Sequence, residues 1–189
     1  MKKIKIFIIT IITATVCLGA AVFAKTDVPD PDRLGTVSIT LEDDGAAITT
    51  GTFMLYRVGN VSCTDTSYIF VLTDELSGAD VSLSNIEDEY AAQTLADYIA
   101  KNQIEGTELA IDENGSAKAE DLSSGLYLVV QTEACDGYKT CSPFFVSMPQ
   151  DANGQYVYNI EICPKVELAE KDIPKTGDDS LFAKIIELF

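Results

Sequence analysis

Short segments of strand-like sequence, separated by turn residues, recur along most of this chain, and this repetition restricts the fold more than any other feature. Residues 36–41 alternate polar and apolar side chains, as a half-buried strand does. Further strands are predicted at 52–58, 68–72, 107–111, 125–131, 143–148 and 155–162, and turns at 42–45, 112–115 and 151–154. The apolar run at 125–131 is expected to be central. Many short strands with regularly spaced turns indicate an all-β antiparallel sandwich.

One segment has the periodicity of a helix. Ser84 and Glu87 match a capping box, with Ser at the N-cap and Glu at N3. Apolar side chains that recur at helical spacing, and that we expect to pack against a sheet, are Ile86, Tyr90, Leu95, Tyr98 and Ile99. The helix is expected to end near Lys101 and Asn102. The prediction is therefore one domain at residues 35–165 with one inserted α-helix.

The N-terminus has the order of a secretory signal. Lys2, Lys3 and Lys5 precede an apolar run at 6–24, which ends in Val22-Phe23-Ala24 before polar residues. We predict a signal peptide at residues 1–24 and an extended leader at 25–34. The alternative is an uncleaved anchor, because a run of this length just spans a bilayer. The small residue at the end of the run and the polar switch favour cleavage.

Charge and composition exclude several classes of function. The chain has 30 acidic and 13 basic residues, and loss of the three N-terminal lysines leaves a net charge of −20. A nucleic-acid partner is therefore not expected. Histidine is absent, so Ser-His-Asp triads, Cys-His pairs and histidine metal sites are impossible. Carboxylate clusters occur where a turn and a helix start explain them. We predict no enzyme activity, catalytic residue, metal or cofactor.

Four cysteines remain after removal of the signal peptide: Cys63, Cys135, Cys141 and Cys163. An even number outside the cell permits two disulfides. Cys135 and Cys141 flank a short loop and are the favoured pair, which leaves Cys63 with Cys163. Four reduced thiols are the other state, expected in an anaerobe. A zinc site is disfavoured because no Cys-x-x-Cys spacing occurs.

Three sequence blocks, in this order, carry a family resemblance. They are residues 51–59 (GTFMLYRVG), residues 126–138 (LYLVVQTEACDGY) and residues 143–165, which close on Cys163-Pro164-Lys165. Together they resemble the prealbumin-like (Cna B-type, SpaA-type) domains of Gram-positive surface proteins and sortase-assembled pilins. The resemblance implies an Ig-like, prealbumin-like sandwich in a cell-surface pilin subunit or wall-associated adhesin. By this resemblance, Lys165 stands where the family has its pilin-motif lysine, although Cys163 replaces the usual Tyr of that motif.

A short motif near the end of the chain fits this resemblance. Within a linker at 166–177, residues 173–177 (Ile173, Pro174, Lys175, Thr176 and Gly177) resemble the Leu-Pro-x-Thr-Gly sorting motif. In such families a sortase cuts between Thr and Gly and passes the Thr carbonyl to an amine. The implied partners are sortase, a peptidoglycan precursor or other pilin subunits, and a host or surface ligand. The alternative interpretations are that the motif is an ordinary linker turn and that Lys165 is a solvated side chain after the last strand.

Two departures from the family pattern change the expectations. The tail at 178–189 has only nine residues from Leu181 onward, interrupted by Lys184 and Glu187, so it cannot span a membrane. The chain is then truncated, or released, or the tail only touches the membrane. The family's internal Lys–Asn isopeptide bond is also not expected. No lysine occurs at 36–41, and Gln131 stands where the catalytic Glu is expected, which leaves Asn159 without its partners.

The alternative function is a released binding module that attaches without a covalent bond. Its contact area would come from tyrosines, for which packing is the competing role: Tyr56, Tyr68, Tyr138, Tyr156 and Tyr158.

Overall fold

The computed structural model describes residues 29–63, 68–152 and 155–169, without the side chain of Cys63. The predicted signal peptide (1–24), the start of the leader, the sorting motif (173–177) and the tail (178–189) lie outside the described residues. The elements in chain order are β1 (Gly35–Thr40), β2 (Glu42–Asp43), β3 (Ala46–Ala47), β4 (Thr52–Cys63), β5 (Tyr68–Leu72), a 3₁₀ helix (Asp74–Ala79), α1 (Glu89–Asn102), β6 (Thr107–Ala110), β7 (Ser116–Leu122), β8 (Gly125–Glu133), β9 (Phe144–Met148), β10 (Gln150–Asp151), β11 (Tyr156–Val157) and β12 (Asn159–Ile162).

The strands form two main sheets. The smaller sheet has the order β12-β1-β7, in which β1 is antiparallel to β7 and parallel to β12. The larger sheet has the order β5-β4-β8-β9, and β6 also pairs with β4. Two short hairpins, β2–β3 and β10–β11, lie outside these sheets. The predicted β fold, dominated by antiparallel pairs and with one inserted α-helix, is confirmed.

The larger sheet has a core on each of its faces. Side chains from both sheets form the first core cluster, which includes Val37, Phe53 and Val129. On its other face the larger sheet packs against α1, and Leu128 and Leu95 belong to this second cluster. Successive side chains of β8 alternate between the two clusters, so the strand is buried on both sides. Its predicted central position is confirmed, because β8 lies between β4 and β9.

The helix begins later than the sequence predicts. Asp88 is the N-cap, and its Oδ1 accepts hydrogen bonds from the N–H groups of Tyr90 (3.0 Å) and Ala91 (3.2 Å). The capping box predicted at Ser84 is therefore wrong. A start at Glu89 turns a stripe of small and branched side chains to the sheet, namely Ala91, Ala92, Leu95, Ala96 and Ile99. Ile86 and Tyr90 lie outside that stripe and are exposed, which corrects their predicted core role. The predicted helix end is confirmed.

The longest strand that the sequence did not predict is β7. Its sequence SAKAEDL has buried apolar side chains at Ala117 and Ala119, and Leu122 at its end is half-buried against the same first cluster. Alanine is a weak strand signal because its small side chain adds little to cross-strand packing. The pairing of β7 with β1 decides its structure, and that contact links residues about 80 positions apart.

Residues 29–34 of the predicted leader contact the sandwich. The Tyr158 hydroxyl accepts a hydrogen bond from the Asp30 N–H (2.6 Å) and donates one to the Asp30 carbonyl (2.9 Å). The Arg33 guanidinium lies 4.5 Å from the centre of the Tyr158 ring. The described leader is therefore fixed beside β12. Within the three described ranges, no helix has the length and apolar composition needed to cross a membrane.

Candidate functional site at the C-terminal exit

The chain leaves the last strand through residues 163–169, which we name the exit segment. It starts directly after β12, and Lys165 within it is exposed. Among the described residues, no carboxylate forms an ion pair with Lys165. Pro164 fixes the backbone just before the lysine and has no N–H to donate. Lys165 therefore presents an accessible amine at the end of the domain.

The second half of the exit segment is bound to the domain. Its partner is the loop at residues 135–141, which we name the corner loop. The Lys139 N–H donates to the Glu167 carbonyl (2.8 Å), and the Ala169 N–H donates to the Gly137 carbonyl (2.9 Å). Tyr138 and Leu168 form an antiparallel bridge between these two bonds. The predicted linker at 166–177 thus starts with four residues that lie against the sandwich.

Local contacts give the corner loop its shape. The Tyr138 N–H donates to the Cys135 carbonyl (3.0 Å), which closes a turn. Gly137 in this turn has φ +86°, a conformation that glycine adopts without strain. The Tyr138 hydroxyl donates to Asp43 Oδ2 (3.0 Å), and the Asp136 N–H donates to Thr50 Oγ1 (2.9 Å). The loop is therefore held from both its backbone and its side chains.

Gln131 connects the two ends of the corner loop. Its Oε1 accepts from the Cys141 N–H (2.8 Å), and its Nε2 donates to Cys135 Sγ (3.4 Å). Sequence reasoning assigned Gln131 only as a replacement for a family glutamate and missed this role. The available signal was its spacing, since Gln131 lies four residues before Cys135 on the strand that leads into the loop.

Both cysteines of the corner loop are free thiols in the structure. Cys135 is buried, and Cys141 is half-buried against the first core cluster. Burial raises the pKa of the Cys135 thiol, and it raises the pKa of the Cys141 thiol to about 11. Thiolate formation, which disulfide chemistry requires, is therefore suppressed at neutral pH.

Cys63 and the strand that leads to Cys163 belong to different sheets. The backbone of Cys63 follows Asn60, which pairs with Gly125 at one end of the larger sheet. Cys163 follows Ile162, which pairs with Ile39 in the smaller sheet. Bonded cysteines need Cα atoms within about 7 Å. The Cys63–Cys163 pairing and the Cys135–Cys141 pairing both stay predictions.

The residues considered for an isopeptide bond are not assembled. The lysines of the described ranges, Lys101, Lys118, Lys139 and Lys165, are all exposed. Asn159 is also exposed, and it pairs with Thr36 of β1. The isopeptide reaction needs a buried amine that is neutral. The absence of such a bond stays a prediction that a mass measurement tests.

The remaining site predictions concern tyrosines and metals. Tyr158 is buried, and Tyr56, Tyr68, Tyr138 and Tyr156 are half-buried. Within residues 29–63, 68–152 and 155–169, no three Cys, Asp or Glu side chains are grouped so that they could hold a metal ion.

Comparison with known proteins finds structural but not sequence matches. No protein-family model matches the chain, and no curated protein matches it. The structure is similar to the full-length major pilin SpaD from Corynebacterium diphtheriae, at 22% identity and TM-score 0.47, over 73% of this chain and 31% of that one. It is similar to the T6 backbone pilin of serotype M6 Streptococcus pyogenes, at 18% identity and TM-score 0.48, over 74% of this chain and 30% of that one.

A third similar structure is the group B streptococcus pilus 2b backbone protein, at 14% identity and TM-score 0.43, over 73% of this chain and 42% of that one. The chain thus spans less than half the length of each of these three pilins.

Proposed function

We propose that the chain is a secreted, pilin-like surface subunit that a sortase joins to an amine through the Thr176 carbonyl. One arrangement carries the proposal. The exit segment leaves the last strand with an exposed lysine at 165, and the motif at 173–177 follows only eight residues later. A candidate acceptor amine and a candidate cleavage site therefore lie close together in the sequence, both after the last strand of the domain.

The chemistry of the motif suits transpeptidation. Pro174 favours an extended backbone at Ile173 and prevents helix formation, and Gly177 leaves little bulk beyond the scissile bond. The sortase thiolate attacks the Thr176 carbonyl, the Thr176–Gly177 amide breaks, and the Gly177 amine leaves with a proton. An incoming amine then displaces the thiolate and forms a new amide. The chain supplies only the substrate and needs no catalytic residue of its own.

Two amines could accept the Thr176 carbonyl. A peptidoglycan precursor would anchor the subunit to the wall, and Lys165 of another copy would extend a polymer. Support for Lys165 comes from its exposure and from the lack of a carboxylate ion pair among the described residues. Lys139, by contrast, lies 3.6 Å from Glu167 and is a matched exposed lysine that we expect to be inert.

Fractionation of producing cells tests the proposal. Boiled SDS extracts of wall, membrane and medium are probed with antibody to the domain. We expect a wall-bound band or a high-mass ladder that Thr176→Ala abolishes. Loss of the ladder in Lys165→Arg, with retention in Lys139→Arg, identifies the acceptor. A wall signal that is unchanged in Thr176→Ala contradicts transpeptidation at this motif.

The alternative is a released module that binds without a covalent bond. A groove of about 570 Å³ beside β5 supports it, lined in part by Tyr68 and Phe70. The same edge strand leaves Ile69 and Val71 about half exposed. In the fractionation experiment this function predicts a single band near the mature mass, found only in the medium and unaffected by Thr176→Ala.

A further inference from the structure

The corner loop begins and ends in a thiol, and a single side chain contacts both ends. Gln131 accepts a hydrogen bond from the Cys141 N–H and donates one to Cys135 Sγ. Cys135 is only 3% exposed, and Cys141 packs against the same core cluster. The two thiols thus lie in one region, between Gln131 and the first core cluster.

The exit segment forms its backbone hydrogen bonds with residues inside this loop. Gly137 accepts from Ala169 and Lys139 donates to Glu167, and both lie between the two cysteines. A bond between Cys135 and Cys141 would close a covalent ring around these two docking residues. A cross-link across a short loop restricts the conformations in which the loop opens.

We propose that Cys135 and Cys141 form a disulfide, and that this bond fixes the corner loop as the dock for residues 166–169. Oxidation of these two cysteines thus determines how tightly the exit segment is held to the domain. The inference is independent of transpeptidation, because docking is measured on the purified protein without any sortase.

The reaction is a thiol–disulfide exchange with an external disulfide, such as glutathione disulfide or an oxidoreductase of the secretory pathway. Cys141 is half-buried and more accessible than Cys135, and it reacts first when the loop opens transiently, because its thiol is then no longer buried and can form the thiolate. Its thiolate attacks one sulfur of the oxidant and releases the first thiol, which leaves a mixed disulfide. The Cys135 thiolate then attacks the Cys141 sulfur and releases the second thiol. Both protein thiols are oxidised, each loses a proton, and the oxidant is reduced to two thiols.

The dock lies close to the sorting motif along the chain. Ala169, at the end of the described residues, donates a backbone hydrogen bond to the domain, and Ile173 follows four residues later. Even a fully extended chain places Ile173 within about 14 Å of Ala169. Tighter docking therefore limits how far the motif can move away from the domain, whichever enzyme acts on it.

Limited proteolysis of the chain that starts at Lys25 tests the proposal. Trypsin can cut after Lys139 in the corner loop and after Lys165 in the exit segment, while Lys101 at the end of α1 is a distant reference site. We expect glutathione disulfide to slow cleavage at Lys139 and Lys165 about tenfold relative to the reduced protein, because opening of the dock becomes rarer. Cleavage at Lys101 should be unchanged. Peptide mapping should show residues 135 and 141 linked.

Two controls make the result specific. A Cys63→Ser and Cys163→Ser double variant should keep the protection, and a Cys135→Ser and Cys141→Ser double variant should lose its dependence on the oxidant. If the second variant does not fold, the proposal is still tested by the parent protein, through the mapped linkage and the cleavage rates in its oxidised and reduced forms. A Cys141–Cys163 linkage, or equal cleavage at Lys165 in the oxidised and reduced parent, overturns the proposal.

Discussion

At the scale of single residues, the thiol of Cys141 makes stability depend on pH. Burial raises its pKa from 9.0 to about 11 in the folded chain. The folded protein therefore holds this proton to a higher pH than the unfolded chain does. The contribution of the neutral thiol to stability is complete below pH 9 and is lost as the pH rises toward 11.

We therefore expect the free energy of unfolding of the reduced protein to fall between pH 9 and 11. The pKa values of Tyr127 and Tyr68 are also raised by burial, so part of the fall is theirs. The Cys141→Ser variant removes the thiol and should show a shallower fall in urea unfolding. An equally steep fall in the variant would show that Cys141 does not contribute.

The residue scale also shows what sequence reasoning missed. The pattern at 25–34 predicted an extended leader, but the bonds of Asp30 to Tyr158 join residues 128 positions apart. The contacts of Gln131 are local, yet they depend on how the loop returns to the strand. Local sequence shows which residues are polar, whereas the fold decides which polar groups meet.

At the scale of elements, the start of α1 can be tested directly. Asp88→Ala removes the oxygen that accepts from two N–H groups at the first turn, and we expect a loss of about 1 kcal/mol of stability. Ser84→Ala is the control, because Ser84 is the N-cap predicted from sequence. Its change should stay within about 0.5 kcal/mol. Urea unfolding measures both variants, and a larger loss in Ser84→Ala would contradict the observed cap.

The sequence before α1 explains why the start of this helix was predicted incorrectly. Residues 84–88 contain several side chains able to cap a helix, so the local pattern permits more than one start. The choice follows from burial, because a start at Glu89 turns Ala92 and Leu95 to the larger sheet. The periodicity of Leu95 and Ile99 predicted the existence and end of the helix, which are set by stronger signals.

At the scale of the whole molecule, the sequence predicted most strands and their turns but not their arrangement. Alternation and turn residues are local, so β1, β4 and β8 were recognised individually. The parallel pairing of β1 with β12 joins the first and last strands of the domain, which no local pattern specifies. That pairing also decides at which end Cys163 and the exit segment lie. The arrangement of the candidate site therefore became visible only in the structure.

The arrangement of the sheets also bears on covalent cross-linking within the domain. An internal Lys–Asn bond needs a lysine buried beside its partner, so that the amine is neutral and attacks the carboxamide. The lysines of the described ranges are exposed, as is Asn159, and the amide of Gln131 contacts the corner loop. We therefore expect the intact mass of the mature chain to differ from the sequence mass only by about 2 Da for each disulfide.

Mass spectrometry before and after reduction separates these cross-links. A disulfide restores its two protons on reduction, whereas an isopeptide bond leaves a deficit of about 17 Da, the mass of ammonia, that reduction does not change. A persistent deficit would contradict the prediction and would place the bond on a lysine outside the described ranges or on one that becomes buried. A deficit that reduction removes would instead agree with stabilisation by disulfides, since cross-linking through Cys135 and Cys141 needs no buried amine.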